Sequence, residues 1–142
     1  MRSLLDVNVL IALFDPDHTL HEPAFSWFEA NARHGWASCP LTQNGFIRVI
    51  SQPSYPNPLP VDVVVRRLRE AAQHEHHEFW PDEVSLLDKR SIDATRIHGP
   101  RQVTDVYLLS LAVSRAGRLV TFDQSMPLAA VVNAQKKHLV VI

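Results

Sequence analysis

The chain has 142 residues, 46% hydrophobic and 20% charged, which suits one ordinary globular core and leaves little for a second. Its net charge is −1 and its isoelectric point lies near 6.7, which excludes a protein that grips nucleic acid through overall basicity; any polyanion must meet a local basic patch. The single cysteine, Cys39, excludes an internal disulfide framework and a cysteine-rich zinc site.

The longest apolar run, Val9 to Phe14, is far below the roughly 20 residues of a membrane helix, and Met1-Arg2-Ser3 leads straight into structure. A soluble, cytoplasmic protein with no membrane contact is expected, folded as one domain over residues 1–142. Ser3-Leu4-Leu5 and the run after Asp6 read as a buried strand breaking directly into a helix, because the apolar residues are continuous rather than alternating. Thr19 to Arg33 carries a helical period and stops at Gly35. Trp36 to Cys39 suits a short strand, and Leu41 to Ser51 a helix with Phe46, Ile47 and Ile50 on one face. Four prolines make Gln52 to Pro60 a loop. A helix follows over Val61 to His74, then a brief edge strand at Glu78 to Trp80 and a helical stretch over Ser85 to Ile97. Thr104 is expected to cap a helix running to about Ala116 and ended by Gly117. Leu119 to Phe122 is a buried strand, Leu128 to Gln135 a short helix, and His138 to Ile142 a last strand. Strands alternating with helices imply a three-layer α/β domain around a central parallel sheet.

In such a sheet, functional side chains gather at the carboxyl edge near the topological switch point. Asp6 follows "SLL", Asp123 follows "LVTF", and Asp105 stands in the first turn of the helix before that strand. If the first and fourth strands are neighbours, three carboxylates from distant parts of the chain converge. Packed closely, they repel one another and shift upward in pKa unless a cation neutralises them. Three oxygens plus waters suit Mg²⁺ or Mn²⁺. Taken singly, Asp6 reads equally as an N-cap and Asp105 as a partner of the helix dipole; their joint placement is what points to chemistry.

The segments "LLDVNVLIAL", "VTDVYLLSLAV" and "LVTFD", with "CPLTQNGFIRVIS" and "GPRQVTD" between them, resemble the PIN-domain ribonucleases, in particular the VapC-type toxins of bacterial toxin–antitoxin pairs. The resemblance spans nearly the whole chain. It implies a PIN-like fold and a metal-dependent endoribonuclease that cuts structured RNA such as tRNA or rRNA, is inhibited by a cognate antitoxin and forms a homodimer. It places Asp6, Asp105 and Asp123 at the acidic, metal-holding positions, with Asn8 and Thr121 as polar helpers that could equally bond nearby backbone. Where the family commonly has a glutamate, this chain has Gln43. Glutamine keeps the size and an acceptor carbonyl but removes a charge and any capacity to act as a base, leaving about −3 rather than about −4 at the site. A one-metal or weakly two-metal enzyme follows, unless Gln43 caps its helix or bonds Arg48 and never meets the metal. The alternative of another class is a catalytically weakened PIN-like module acting by RNA or partner binding.

Arg48 and Arg101, near the acidic motifs in sequence, are the candidates for holding RNA phosphates. "HEHHE" at His74 to Glu78 invites a zinc reading, but the residue four after His74 is a glutamate, and an exposed helix end explains it better. Phe25, Trp27 and Phe28 are expected to be mostly core. An aspartyl-phosphate enzyme would also carry aspartate after its first strand, but Asp6-Val7-Asn8 lacks a second aspartate and no late lysine stands where one is needed.

Overall fold

The computed structural model describes all 142 residues. Five short strands, β1 (Ser3–Leu5), β2 (Trp36–Ser38), β3 (His77–Phe79), β4 (Arg118–Thr121) and β5 (Leu139–Val141), form one all-parallel sheet in the order β3-β2-β1-β4-β5. The chain steps outward from β1 through β2 to β3, then returns to the other side of β1 for β4 and β5. β1 and β4 therefore flank the switch point, in register at Leu4 with Leu119 and Leu5 with Val120.

The alternation of side chains along a strand explains the layers. Leu4, Ala37 and Leu119 face one core, shared with Trp80 and with Val106, Leu108, Leu109 and Leu111 of α5 (Val103–Ser114). Leu5, Trp36 and Val120 face the other, shared with α1 (Val7–Phe14), α3 (Pro40–Ile50) and α4 (Val61–Ala72). The three-layer α/β/α architecture is the one expected. α2 (His21–Asn31) lies outside α1 and buries only Ala24. Phe25 is 48% exposed and Trp27 and Phe28 are half-buried, so these aromatics are less a part of the core than their period suggests.

α3 starts sharply because Pro40 occupies its first turn and Thr42 Oγ1 accepts from the Cys39 N–H at 3.0 Å. Gly45 then lets α3 approach α1: a β-carbon there would lie 2.7 Å from Val7 Cγ2.

Three sequence expectations need correction. Ser85 to Ile97 is not a helix but a series of turns, with one 3-10 turn at Ala94–Arg96. Ser85, Asp88 and Asp93 each accept the N–H two residues on, at 3.1, 2.9 and 3.1 Å, and so outcompete the helical ladder. Leu128 to Gln135 keeps only a 3-10 turn at Leu128–Ala130. Its remainder is drawn out by an antiparallel bridge between Val131 and Ile92. Thr104 lies inside α5 rather than capping it, because a 3-10 turn over Pro100–Gln102 leads directly into Val103. No helix is long and apolar enough to cross a membrane.

Candidate active site

Asp6 ends β1 and caps α1. One carboxylate oxygen accepts from the Val7 N–H at 2.7 Å and the other from Thr121 Oγ1 at 2.7 Å, with only 6% of the residue exposed. Burial pushes its pKa up, Thr121 and Val7 oppose the rise, and the Asp123 charge adds to it. Thr121, the last residue of β4, is the hub. Besides donating to Asp6, its oxygen accepts from the Asp123 N–H at 3.0 Å and from Asn8 Nδ2 at 3.3 Å. Asn8 Oδ1 in turn receives the Phe122 N–H at 3.4 Å. A single hydroxyl thus ties the start of α1 to the end of β4, fixing two acids that are 117 residues apart in sequence.

Asp123 Oδ1 accepts from both the backbone N–H and the hydroxyl of Ser125, at 2.8 and 2.7 Å. These bonds hold its pKa below the ordinary carboxylate range. Asp105 behaves oppositely. Burial, the charge of Asp6 and a hydrogen bond shared with Asp123 raise its pKa to about 7. Asp105 is therefore partly protonated near neutral pH while Asp123 is ionised.

No protein cation offsets this charge. The ion pairs of the molecule join Arg2 to Glu78, His76 to Glu75, Arg90 to Asp88, Arg96 to Asp93 and Arg115 to Glu83, none of them in the crevice. The donor set, three oxygen acids in a half-buried crevice with unbalanced charge, fits a hard divalent cation. The three are near enough to perturb one another, but as the side chains stand no three acids, histidines or cysteines are grouped to hold a metal ion.

The other candidates make no hydrogen bond or ion pair with this group. Gln43 Nε2 donates to Ser38 Oγ at 3.0 Å, and Ser38 is also bonded to His77 Nε2 at 2.8 Å. The Gln43 side chain lines a small cavity with Ile47, Val65, Leu68 and Arg69, between α3 and α4. No hydrogen bond joins it to the acids or to Arg48. Arg48 on α3 and Arg101 before α5 are both exposed and unpaired. Sequence reasoning missed Ser125, whose signal is the Asp-x-Ser spacing of a local side-chain turn, and Ser38, which nothing in the sequence marks.

Fold and site together define a parallel α/β domain with an uncompensated acidic crevice at its switch point. The chain belongs to the PIN domain family, which matches residues 3–132. It is 56% identical over 139 residues to Ribonuclease VapC44 of Mycobacterium tuberculosis, with 98% of each chain covered. It is 46% identical over 122 residues to Ribonuclease VapC38 of the same organism, covering 85% of this chain and 84% of that one. Ribonuclease VapC39 shares 39% over 127 residues, covering 89% and 91%. A solved structure, VapBC2 from Rickettsia felis bound to a DNA fragment from their promoter, superposes with a TM-score of 0.56. It covers 87% of this chain and 89% of that one at 14% identity, a likeness of fold alone.

Proposed function

We propose that the protein is a Mg²⁺- or Mn²⁺-dependent endoribonuclease toxin that hydrolyses phosphodiester bonds of structured RNA, tRNA or rRNA, and is inhibited by a cognate antitoxin. What supports this reading is the mutual electrostatic influence of Asp6, Asp105 and Asp123 beside the β1–β4 switch point, with no ion pair to balance them. The ribonuclease names of its relatives and the VapBC likeness support the toxin class and a protein partner. The toxin is read as a cytoplasmic homodimer.

A divalent ion held by Asp6, Asp105 and Asp123 would supply an activated water and offset charge on the phosphodiester. The protein's own residues prepare the crevice. Thr121 and Asn8 orient Asp6 against β4, Ser125 keeps Asp123 ionised, and Asp105 gives up its proton when positive charge enters. Arg48 and Arg101 are the side chains we assign to substrate phosphates, for which the planar guanidinium is suited.

The test is purified protein with total RNA, with Mg²⁺ or Mn²⁺ and with chelator, beside Asp6→Asn. Cleavage is expected only with metal and only in the parent; cleavage that persists in Asp6→Asn overturns the mechanism. Metal binding without any cleavage would instead favour the weakened binding module.

A further inference from the structure

The carboxyl edge of the sheet does not end at the acids. Beyond them, over β2 and β3, lies a hollow of about 350 Å³. Leu41 at the start of α3 forms one side, Val84 and Leu86 after β3 another, and Thr104 and Tyr107 of α5 a third, with Asp82 at the rim. Thr104 immediately precedes Asp105, so hollow and acidic crevice share the first turn of α5.

Two polar groups border this apolar hollow. The Tyr107 hydroxyl is buried and has no hydrogen-bond partner. Such a group is costly to leave unmade and calls for an explanation. Asp82 is exposed and takes part in no ion pair of the molecule. Asp82 and Tyr107 line the same hollow, so carboxylate and phenol face one space.

We infer that this hollow is a nucleobase subsite, holding the base next to the scissile phosphate and preferring guanine. The inference rests on the ribonuclease reading of the adjoining acids. Unstacked RNA bases are held by apolar and aromatic side chains on their faces and by hydrogen bonds on their edges. Leu41, Val84, Leu86 and the Tyr107 ring supply the first, and Asp82, Thr104 and the Tyr107 hydroxyl the second. A carboxylate only accepts hydrogen bonds, and guanine alone among the four bases offers it two adjacent donors, the ring N1–H and the exocyclic amine.

The test measures binding in chelator, where nothing is cut. Short uridine-rich RNAs carrying one guanosine or one inosine, which lacks the exocyclic amine, are titrated by fluorescence anisotropy. The parent is expected to prefer guanosine by roughly tenfold, and Asp82→Asn to bind both alike. Equal affinities in the parent, or a preference that survives Asp82→Asn, overturn the subsite. Tyr107→Phe is expected to melt no lower than the parent yet lose part of the preference; a lower melting temperature with the preference intact assigns Tyr107 to packing and counts against the inference. A second copy of the chain covering the hollow is the competing occupant. It would show as a dimer that Leu41→Asp dissociates without altering base preference, and that result overturns the inference. Guanosine preference without cleavage by the metal-loaded parent supports the subsite while removing the ribonuclease reading, so the two fail separately.

Discussion

At the scale of single residues, the acids differ in charge state because their surroundings differ. Asp123 receives two bonds from Ser125 and stays ionised. Asp105 is half-buried without such a donor and faces two other carboxylates, so burial first and their charge second raise its pKa to about 7. The consequence for stability has a definite sign. In the unfolded chain Asp105 titrates near 3.8. Its contribution is therefore fully present below that pH, declines as pH rises, and is lost once pH passes about 7. In chelator, Asp105→Asn is expected to match the parent's melting temperature near pH 4 and to exceed it above pH 7. Thermal scans across that range check it, and a variant less stable than the parent at pH 8 contradicts the arrangement. Gln43 gives a second prediction at this scale. Its amide is committed to Ser38 and its side chain to the α3–α4 cavity, so Gln43→Glu is expected to leave Mn²⁺ affinity close to the parent's. A gain of about tenfold or more, of the kind an added carboxylate ligand gives, would restore the metal-shell role that the sequence suggested.

Between elements, the turn from α5 to β4 shows what the sequence reveals and what it hides. Gly117 reads as the left-handed residue that stops a helix, yet that conformation falls on Ala116, with φ of 53°. The Ala116 N–H bonds the Val113 carbonyl at 3.1 Å and the Gly117 N–H bonds the Ala112 carbonyl at 2.8 Å, the pair that defines a Schellman end. Gly117 is needed for a different reason. A β-carbon there would meet Trp80 Cη2 at 2.6 Å and the Arg2 carbonyl oxygen at 2.7 Å. Gly117→Ala is accordingly expected to cost about 1–3 kcal/mol, and Ala116→Gly to stabilise by about 1 kcal/mol. Denaturant midpoints measure both, and the opposite order would refute the assignment. The same contrast runs through the chain. β1, α1, α3, β4 and their order were legible because buried apolar runs, with Pro16, Pro40, Pro53 and Gly117 at several of their boundaries, leave one reading. Residues 85–97 and 128–135 were not, because local side-chain bonds and a bridge between Ile92 and Val131, 39 residues apart in sequence, override helical periodicity. In the site, the acids were legible from their strand-end positions, whereas Ser125, Ser38 and the Asp82–Tyr107 neighbourhood depend on contacts that spacing does not encode.

For the whole molecule, the balance of charge constrains how RNA is held. The net charge is −1 and the acidic crevice repels phosphate when no metal is bound, so nonspecific attraction is weak. Arg48 and Arg101 are exposed and free of ion pairs. Arg66, Arg67 and Arg69 are exposed on α4, away from the β1–β4 crevice, where an acidic partner could engage them without touching the site. If only Arg48 and Arg101 meet phosphates, about two counterions leave per single-stranded RNA bound. The logarithm of the binding constant should then fall with the logarithm of salt at a slope of roughly −1.4. Substituting both by glutamine should flatten that slope toward zero, whereas Arg66→Gln with Arg67→Gln should leave it unchanged. Anisotropy titrations over a salt series with the Asp6→Asn protein separate the cases. A slope several times steeper, reduced by the α4 substitutions, would move the RNA path from Arg48 and Arg101 onto α4.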